Sequence, residues 1–229
     1  NIKFVFQPNE EDAGAKYMVE EGVLEDPKVD AALGIHLWSP IESGRVGIAG
    51  GPVMASHQNF KLEIIGKGGH SGSPHASIDP IITATNIIQT IQTIQTREID
   101  VLKPTLIMFG KINGGSAPNV IPSKVELEGS IRYLYEGGDQ SVEQPEKRFE
   151  RIVKDICSAY RANYTLEFIP SNETLINDDK LADEVATIAE GVFGKNNIIP
   201  YVCMAGEDFS EFASRVPSVF YFIGTGNKE

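Results

Sequence analysis

Cysteine is scarce in this chain. Cys157 and Cys203 are the only two in 229 residues. They sit in unrelated contexts with no CxxC pair, which excludes a disulfide-stapled scaffold and makes a reducing cytoplasm the simplest compartment. Long apolar runs are also missing: none approaches the ~20 residues that span a bilayer. Basic residues are outnumbered, with 20 Lys and Arg against 32 Asp and Glu and a formal net charge of −12. That argues against nucleic acid, whose phosphates need a basic footprint, and against anionic membrane surfaces. A small anionic substrate stays compatible, because one well-placed Arg outweighs a diffuse field. An initial Met is lacking too. The chain opens at Asn1 inside an apparent strand and ends at "GTGNKE" just after another. The expectation is a fragment, and an upstream targeting segment is left open.

What is present is ordinary for a globular protein with a core: 41% hydrophobic and 23% charged residues. Residues 2–6 read as a buried strand and 12–21 as a short helix ended by Gly22. Apolar strands follow at 29–38 and, with glycines, at 44–51. From 59 the rhythm is clearer. "NFKLEIIG" alternates, a Gly-rich loop spans 66–74, and a helix of about twenty residues carries Ile81, Ala84, Ile88, Ile91 and Gln95 at helical spacing. The triplets of "IQTIQTIQT" (88–96) are part of that helix face, not a repeat architecture. Strands at 105–114 and 123–134, a helix at 142–162 and a strand at 164–170 complete a β-α-β-β-α-β order, that of a ferredoxin-like sandwich. The tail returns to helix (178–193), strand (197–202), helix (207–214) and strand (218–224). The reading is one α/β domain, 1–55 and 171–229, split by an inserted α+β domain at 56–170.

Candidate chemistry begins at "FVFQPNEEDAGAKYM". Glu10, Glu11 and Asp12 follow a strand-like run and a Pro. Acids at a helix start are common because the helix dipole favours them. The alternative is one carboxylate on a metal and its neighbour handling a proton, since a metal lowers its bound water's pKa to about 7 and a carboxylate then moves the proton. His36 ends the apolar run "GIHLW", where side chains of α/β sheets emerge toward ligands. A lone His there is also an ordinary core group. His57 reads as structural or solvent-facing. "GKGGHSGSPH" holds His70 and His75 among glycines. It matches a dinucleotide loop only loosely, and the spacing of five is not that of a helical zinc pair. One His presented as a hydrogen-bond donor suits it better. Asn119, in "GGSAPNVIPS", either donates to a ligand or caps the turn. Arg132 alternates with Ile131 and Tyr133, so it projects from the opposite face, exposed or placed to grip a carboxylate with two bonds.

Taken in order, "FQPNEEDAGA", "GIHLWSPIESGRVGIAGGPVMAS", "GKGGHSGSPHASIDPI", "GGSAPNVIPSKVELEGSIRYL" and "GEDFSEF" resemble the di-metal amidohydrolases: aminoacylases, hippurate hydrolases and indole-acetyl-amino-acid hydrolases, relatives of carboxypeptidase G and succinyl-diaminopimelate desuccinylase. The resemblance covers essentially the whole chain. It implies a catalytic α/β domain with two divalent ions (zinc, or manganese or cobalt) and an inserted ferredoxin-like lid through which two copies dimerise. It implies Glu10 as general base, Glu11 and His36 as metal ligands, and His70 as the lid donor to the oxyanion. Asn119 and Arg132 would hold the substrate, Arg132 by its carboxylate. The reaction implied is hydrolysis of the amide of an N-acyl amino acid. Alternatives are a di- or tripeptidase or desuccinylase of the wider group, and a dimerising scaffold without catalysis. The chain departs from the pattern in three ways. The family's upstream Cys-Gly-His-Asp segment and its last His are absent, and Asn9 stands where Ala is usual. Two presumptive ligands are too few, so these 229 residues alone are expected to be inactive.

Overall fold

A computed structural model describes residues 1–10 and 14–227. In chain order the elements are α1 (Gly14–Glu20), β1 (Ala32–Glu42), β2 (Val46–Gly47), β3 (Gly51–Met54), β4 (Ser56–Ile65), β5 (Gly69–His70), α2 (Pro80–Thr93), β6 (Thr105–Gly114), β7 (Val120–Ile121), β8 (Lys124–Tyr133), α3 (Pro145–Tyr160), β9 (Asn163–Asn172), β10 (Leu175–Asn177), α4 (Asp179–Phe193), β11 (Ile198–Ile199), α5 (Ser210–Ala213) and β12 (Ser218–Gly226). The fold is mixed α/β. The chain forms two compact units, one of residues 1–56, 134–136 and 171–229, the other of 57–133 and 137–170.

The first unit is built on a mixed sheet ordered β1-β12-β2-β11. β1 runs parallel to β12, β12 antiparallel to β2, and β2 parallel to β11. On one side Val46, Ile48 and Val219 bury against Ala182 and Ala189 of α4. Elsewhere Phe209, Phe212, Phe220 and Phe222 pack with Val53, Met54, Leu175 and Ala15. α4 starts where the side chain of Asp178 accepts from the Leu181 N–H at 2.8 Å, satisfying one donor of the free first turn. Asn177 pins β10: its side chain accepts from the Phe220 N–H at 2.8 Å and donates to the Ala49 and Phe220 carbonyls at 2.8 and 2.9 Å.

Residues 2–6 form no strand, contrary to the sequence reading. Ile2, Phe4 and Phe6 are 83%, 79% and 88% exposed. An apolar run becomes a strand only when a neighbour takes up its backbone groups, and among the described residues none does. Leu33, Ile35 and Leu37, on the alternate face of the edge strand β1, are exposed as well.

The second unit has a four-stranded sheet ordered β6-β8-β4-β9, with β6 and β8 antiparallel. Alternation decides its faces. Phe60, Leu62 and Ile64 of β4 and Val125, Leu127 and Ile131 of β8 are buried, with Phe60 4.7 Å from Phe149 of α3. α2 opens at Pro80, with Asp79 accepting from the Ile81 N–H at 2.8 Å. It buries Ala84, Ile87 and Ile91 and leaves Ile81 39% exposed. The inward stripe thus runs through Ile87 and Ile94, not Ile81 and Ile88. After Thr93 the helix widens over Ile94–Glu98, which supplies the extra inward turn.

Replacing Asn177 by Ala strands three buried backbone groups and should cost about 2–3 kcal/mol. Asp79→Ala should cost about 1 kcal/mol by loss of a cap. Urea unfolding of each variant checks the ranking.

Candidate active site

Gln7, Pro8, Asn9 and Glu10 pass close to Gly14, the first residue of α1. Asn9 takes a left-handed backbone, φ 53°. The Gly14 N–H donates to the Asn9 carbonyl at 3.1 Å. A side chain at Gly14 would put a β carbon 1.9 Å from the Pro8 carbonyl oxygen, so only glycine fits there. Glu11 and Asp12 lie outside the described residues.

Against this stretch lie two buried carboxyl groups just before α5. Glu207 and Asp208 are 5% and 3% exposed. One oxygen each of Glu10, Glu207 and Asp208 falls within 4.8 Å of the others. Asp208 accepts from the Gln7 side-chain amide at 2.5 Å and from the Ala15 N–H at 2.8 Å. Glu207 accepts from the Phe209 N–H at 3.3 Å. Burial pushes the Glu207 carboxyl up to about 8, the Phe209 N–H opposes this, and the charges of Glu10 and Asp208 add to it. The buried Ser210 hydroxyl has no hydrogen-bond partner among the described residues. Neither Glu207 nor Asp208 was assigned a role from sequence, although "GEDFSEF" was among the resembling stretches. The available signal was a second acidic doublet beside a short aromatic helix.

His36 belongs to the same unit but not to this carboxylate group. Its ring is half-buried on β1, 5.0 Å from the Trp38 ring. Nδ1 lies 2.8 Å from the Leu37 carbonyl. A carbonyl only accepts, so Nδ1 carries the proton and the neutral ring keeps a lone pair on Nε2. Metal-bound histidines commonly have that arrangement.

In the second unit His70 pairs with Val120 across β5 and β7. The Gly72 N–H donates to His70 Nδ1 at 3.1 Å, so the neutral ring carries its proton on Nε2, facing outward as a donor. The Ser71 N–H donates to the Asn119 carbonyl at 3.0 Å, which draws Asn119 to the same turn. His70 lines an open groove of about 650 Å³ with Ile121, Lys124 and Glu126; Asn119 and Arg132 do not line it. Arg132 sits on the open face of β8, opposite buried Ile131 and Tyr133. It neighbours His57, which burial first and then the Arg132 charge hold below its ordinary value. His75 is exposed in a single helical turn, Pro74–Ala76. Cys157 is buried and Cys203 half-buried, and neither forms a disulfide among the described residues.

Glu207 gives a pH signature. Its ionisation is dearer in the folded chain than in the unfolded one, so stability is full below the ordinary carboxyl value of 4.5 and falls as pH rises toward about 8. Urea unfolding in chelator should therefore show a weaker fold at about pH 8 than at about pH 5. Glu207→Gln should flatten that slope.

The sequence profile described as Peptidase family M20/M25/M40 matches residues 1–229. The chain is 36% identical to thermostable carboxypeptidase 1 of Saccharolobus solfataricus, over all of this chain and 57% of that protein. It is 37% identical to N-acetyl-L-cysteine deacetylase of Bacillus subtilis, over 98% of this chain and 53% of that protein. Among solved structures, a dinuclear metal binding peptidase of the M20 family from Bacillus subtilis superposes with a TM-score of 0.76 at 28% identity, covering 99% of this chain and 56% of that one. The chain spans a little over half the length of the curated relatives it matches. On this match and on its mixed α/β fold, the chain belongs to peptidase family M20/M25/M40.

Proposed function

We propose that the whole protein hydrolyses the amide bond of N-acyl amino acids, releasing a carboxylate and a free amino acid, with two divalent ions (zinc, or manganese or cobalt). The observation that carries this reading is the carboxylate group of Glu10, Glu207 and Asp208. The donor types suit such cations: the carboxylate oxygens of this group and, outside it in the same unit, the His36 imidazole whose Nε2 keeps its lone pair. Carboxylates crowded this closely, two of them buried, also call for a counter-charge. When bound, the ions acidify a water and polarise the amide carbonyl.

The roles proposed for the chain's own residues follow their settings. Glu10 is the exposed member of the group, able to take the proton of the attacking water and pass it to the departing amine. Glu11 and His36 are ligands. His70 donates from Nε2 to the developing oxyanion. Asn119 and Arg132 hold the substrate, Arg132 through its carboxylate. The second unit is read as a ferredoxin-like lid and dimerisation domain, within the proposed division into 1–55 with 171–229 and 56–170. Its β4-α2-β6-β8-α3-β9 succession and its strand order support that. A homodimer and a cytoplasmic setting, suited to two cysteines outside any disulfide among the described residues, complete the proposal. Similarity to a carboxypeptidase keeps a peptidase of the same family as the second reading, and a panel of acyl amino acids and short peptides separates the two.

In the full-length protein, Glu10→Gln should keep bound metal and lose roughly 10²–10⁴-fold in kcat. Turnover close to the unchanged protein's rejects the base assignment. Arg132→Ala should raise KM for acyl amino acids by about 10- to 100-fold and matter little for an amide lacking the carboxylate.

A further inference from the structure

We infer that Asp208 is a positioning residue for Glu10, acting as a clasp on the loop that presents it. This rests on Glu10 being the base.

The geometry is specific. Asp208 is about two hundred residues away in sequence, yet both of its oxygens are engaged by this loop, one on each side of Glu10. Oδ1 takes the Gln7 side-chain amide at 2.5 Å, three residues before it. Oδ2 takes the Ala15 N–H at 2.8 Å, five residues after it. A single buried carboxylate therefore ties down a residue on each side of Glu10. Between those residues the Gly14 N–H closes onto the Asn9 carbonyl at 3.1 Å, and Asn9, directly before Glu10, is held at φ 53°. Glu10 itself is exposed. Its backbone, from which the side chain projects, is flanked by ties at 7, 9, 14 and 15. Asp208 is 3% exposed, so these charge-assisted bonds are screened little by water and are the strong kind.

The rival reading is that Asp208 contributes by binding metal directly, since one of its oxygens also lies within 4.8 Å of Glu10 and Glu207. The two readings differ in what a substitution removes. Asp208→Asn keeps an acceptor for the Ala15 N–H and turns an NH2 group toward Gln7, which can meet it only by turning its amide over, so that tie loses its charge and its geometry while size is preserved. Misplacement of a reacting group by about 1 Å costs up to roughly 10²-fold in rate.

The test uses the metal-loaded full-length protein and five variants: Asp208→Asn, Gln7→Ala and Glu10→Gln singly, and each of the first two combined with Glu10→Gln. Metal content is measured beside kcat and KM. The expected result is unchanged metal content, unchanged KM, and kcat lower by about 10- to 100-fold for Asp208→Asn and about 3- to 10-fold for Gln7→Ala. Both losses should vanish in the Glu10→Gln background, because a clasp acts only through the group it aims. Pairing Asp208→Asn with Gln7→Glu reverses donor and acceptor and should restore most of kcat. Loss of metal, a change confined to KM, or a full further loss in the Glu10→Gln background overturns the inference. If Asp208→Asn does not fold, Gln7→Ala decides, and an unchanged kcat there overturns it. Failure of the base reading shows separately, as turnover retained by Glu10→Gln alone.

Discussion

Burying charge is the constraint on which this molecule's chemistry depends. Removing a carboxylate from water costs several kcal/mol unless partners replace the lost hydration. Glu207 and Asp208 meet that cost in different ways. Asp208 accepts two N–H bonds, from the Gln7 side chain and the Ala15 backbone. Glu207 has a longer backbone bond from Phe209, a side-chain bond with Asp208 and two acidic neighbours, and burial above all drives it toward the neutral form. The loop around Glu10 is thus shaped partly to serve Asp208, and Glu207 is left as a group that a cation would strongly favour. Only glycine at 14 lets the loop close against Pro8.

In the second unit the polar side chains are aimed by a regular sheet and one irregular loop. The sheet's alternation leaves Arg132 on the open face because its neighbours fill the core with α2 and α3. The loop works differently. Glycines at 68, 69 and 72 let the chain turn tightly enough for a backbone N–H to reach the His70 ring. That one bond selects the tautomer, and with it the ring's capacity to donate outward.

Much of this was legible in the sequence. Long periodic segments came through: β4, β6, β8, α3 and α4 fall within a few residues of their expected places. Arg132's face followed from period-two alternation alone. Of the expected α2 stripe Ala84 and Ile91 are buried, while Ile81 and Ile88 give way to Ile87 and Ile94; the first turn is fixed by Asp79 and Pro80 and the last by a widened turn, neither of which a helical wheel contains. β10, three residues long, was invisible; its place is set by Asn177, a polar residue whose partners are 43 and 128 positions away. The expected strand at 2–6 had the right composition and, among the described residues, no partner.

What the sequence by itself determined is whatever local period and local chemistry encode: mixed α/β character, the inserted β-α-β-β-α-β succession, the side of the pleat that carries Arg132, and the presence of an acidic pair at 10 and 11. Only the tertiary structure decided which acids share a site. Glu10 meets Glu207 and Asp208 across nearly two hundred residues, and no spacing rule links them. Carboxylates are common on surfaces and rarely buried; what sets these apart is burial and hydrogen-bond geometry, quantities that exist only once the chain has closed on itself.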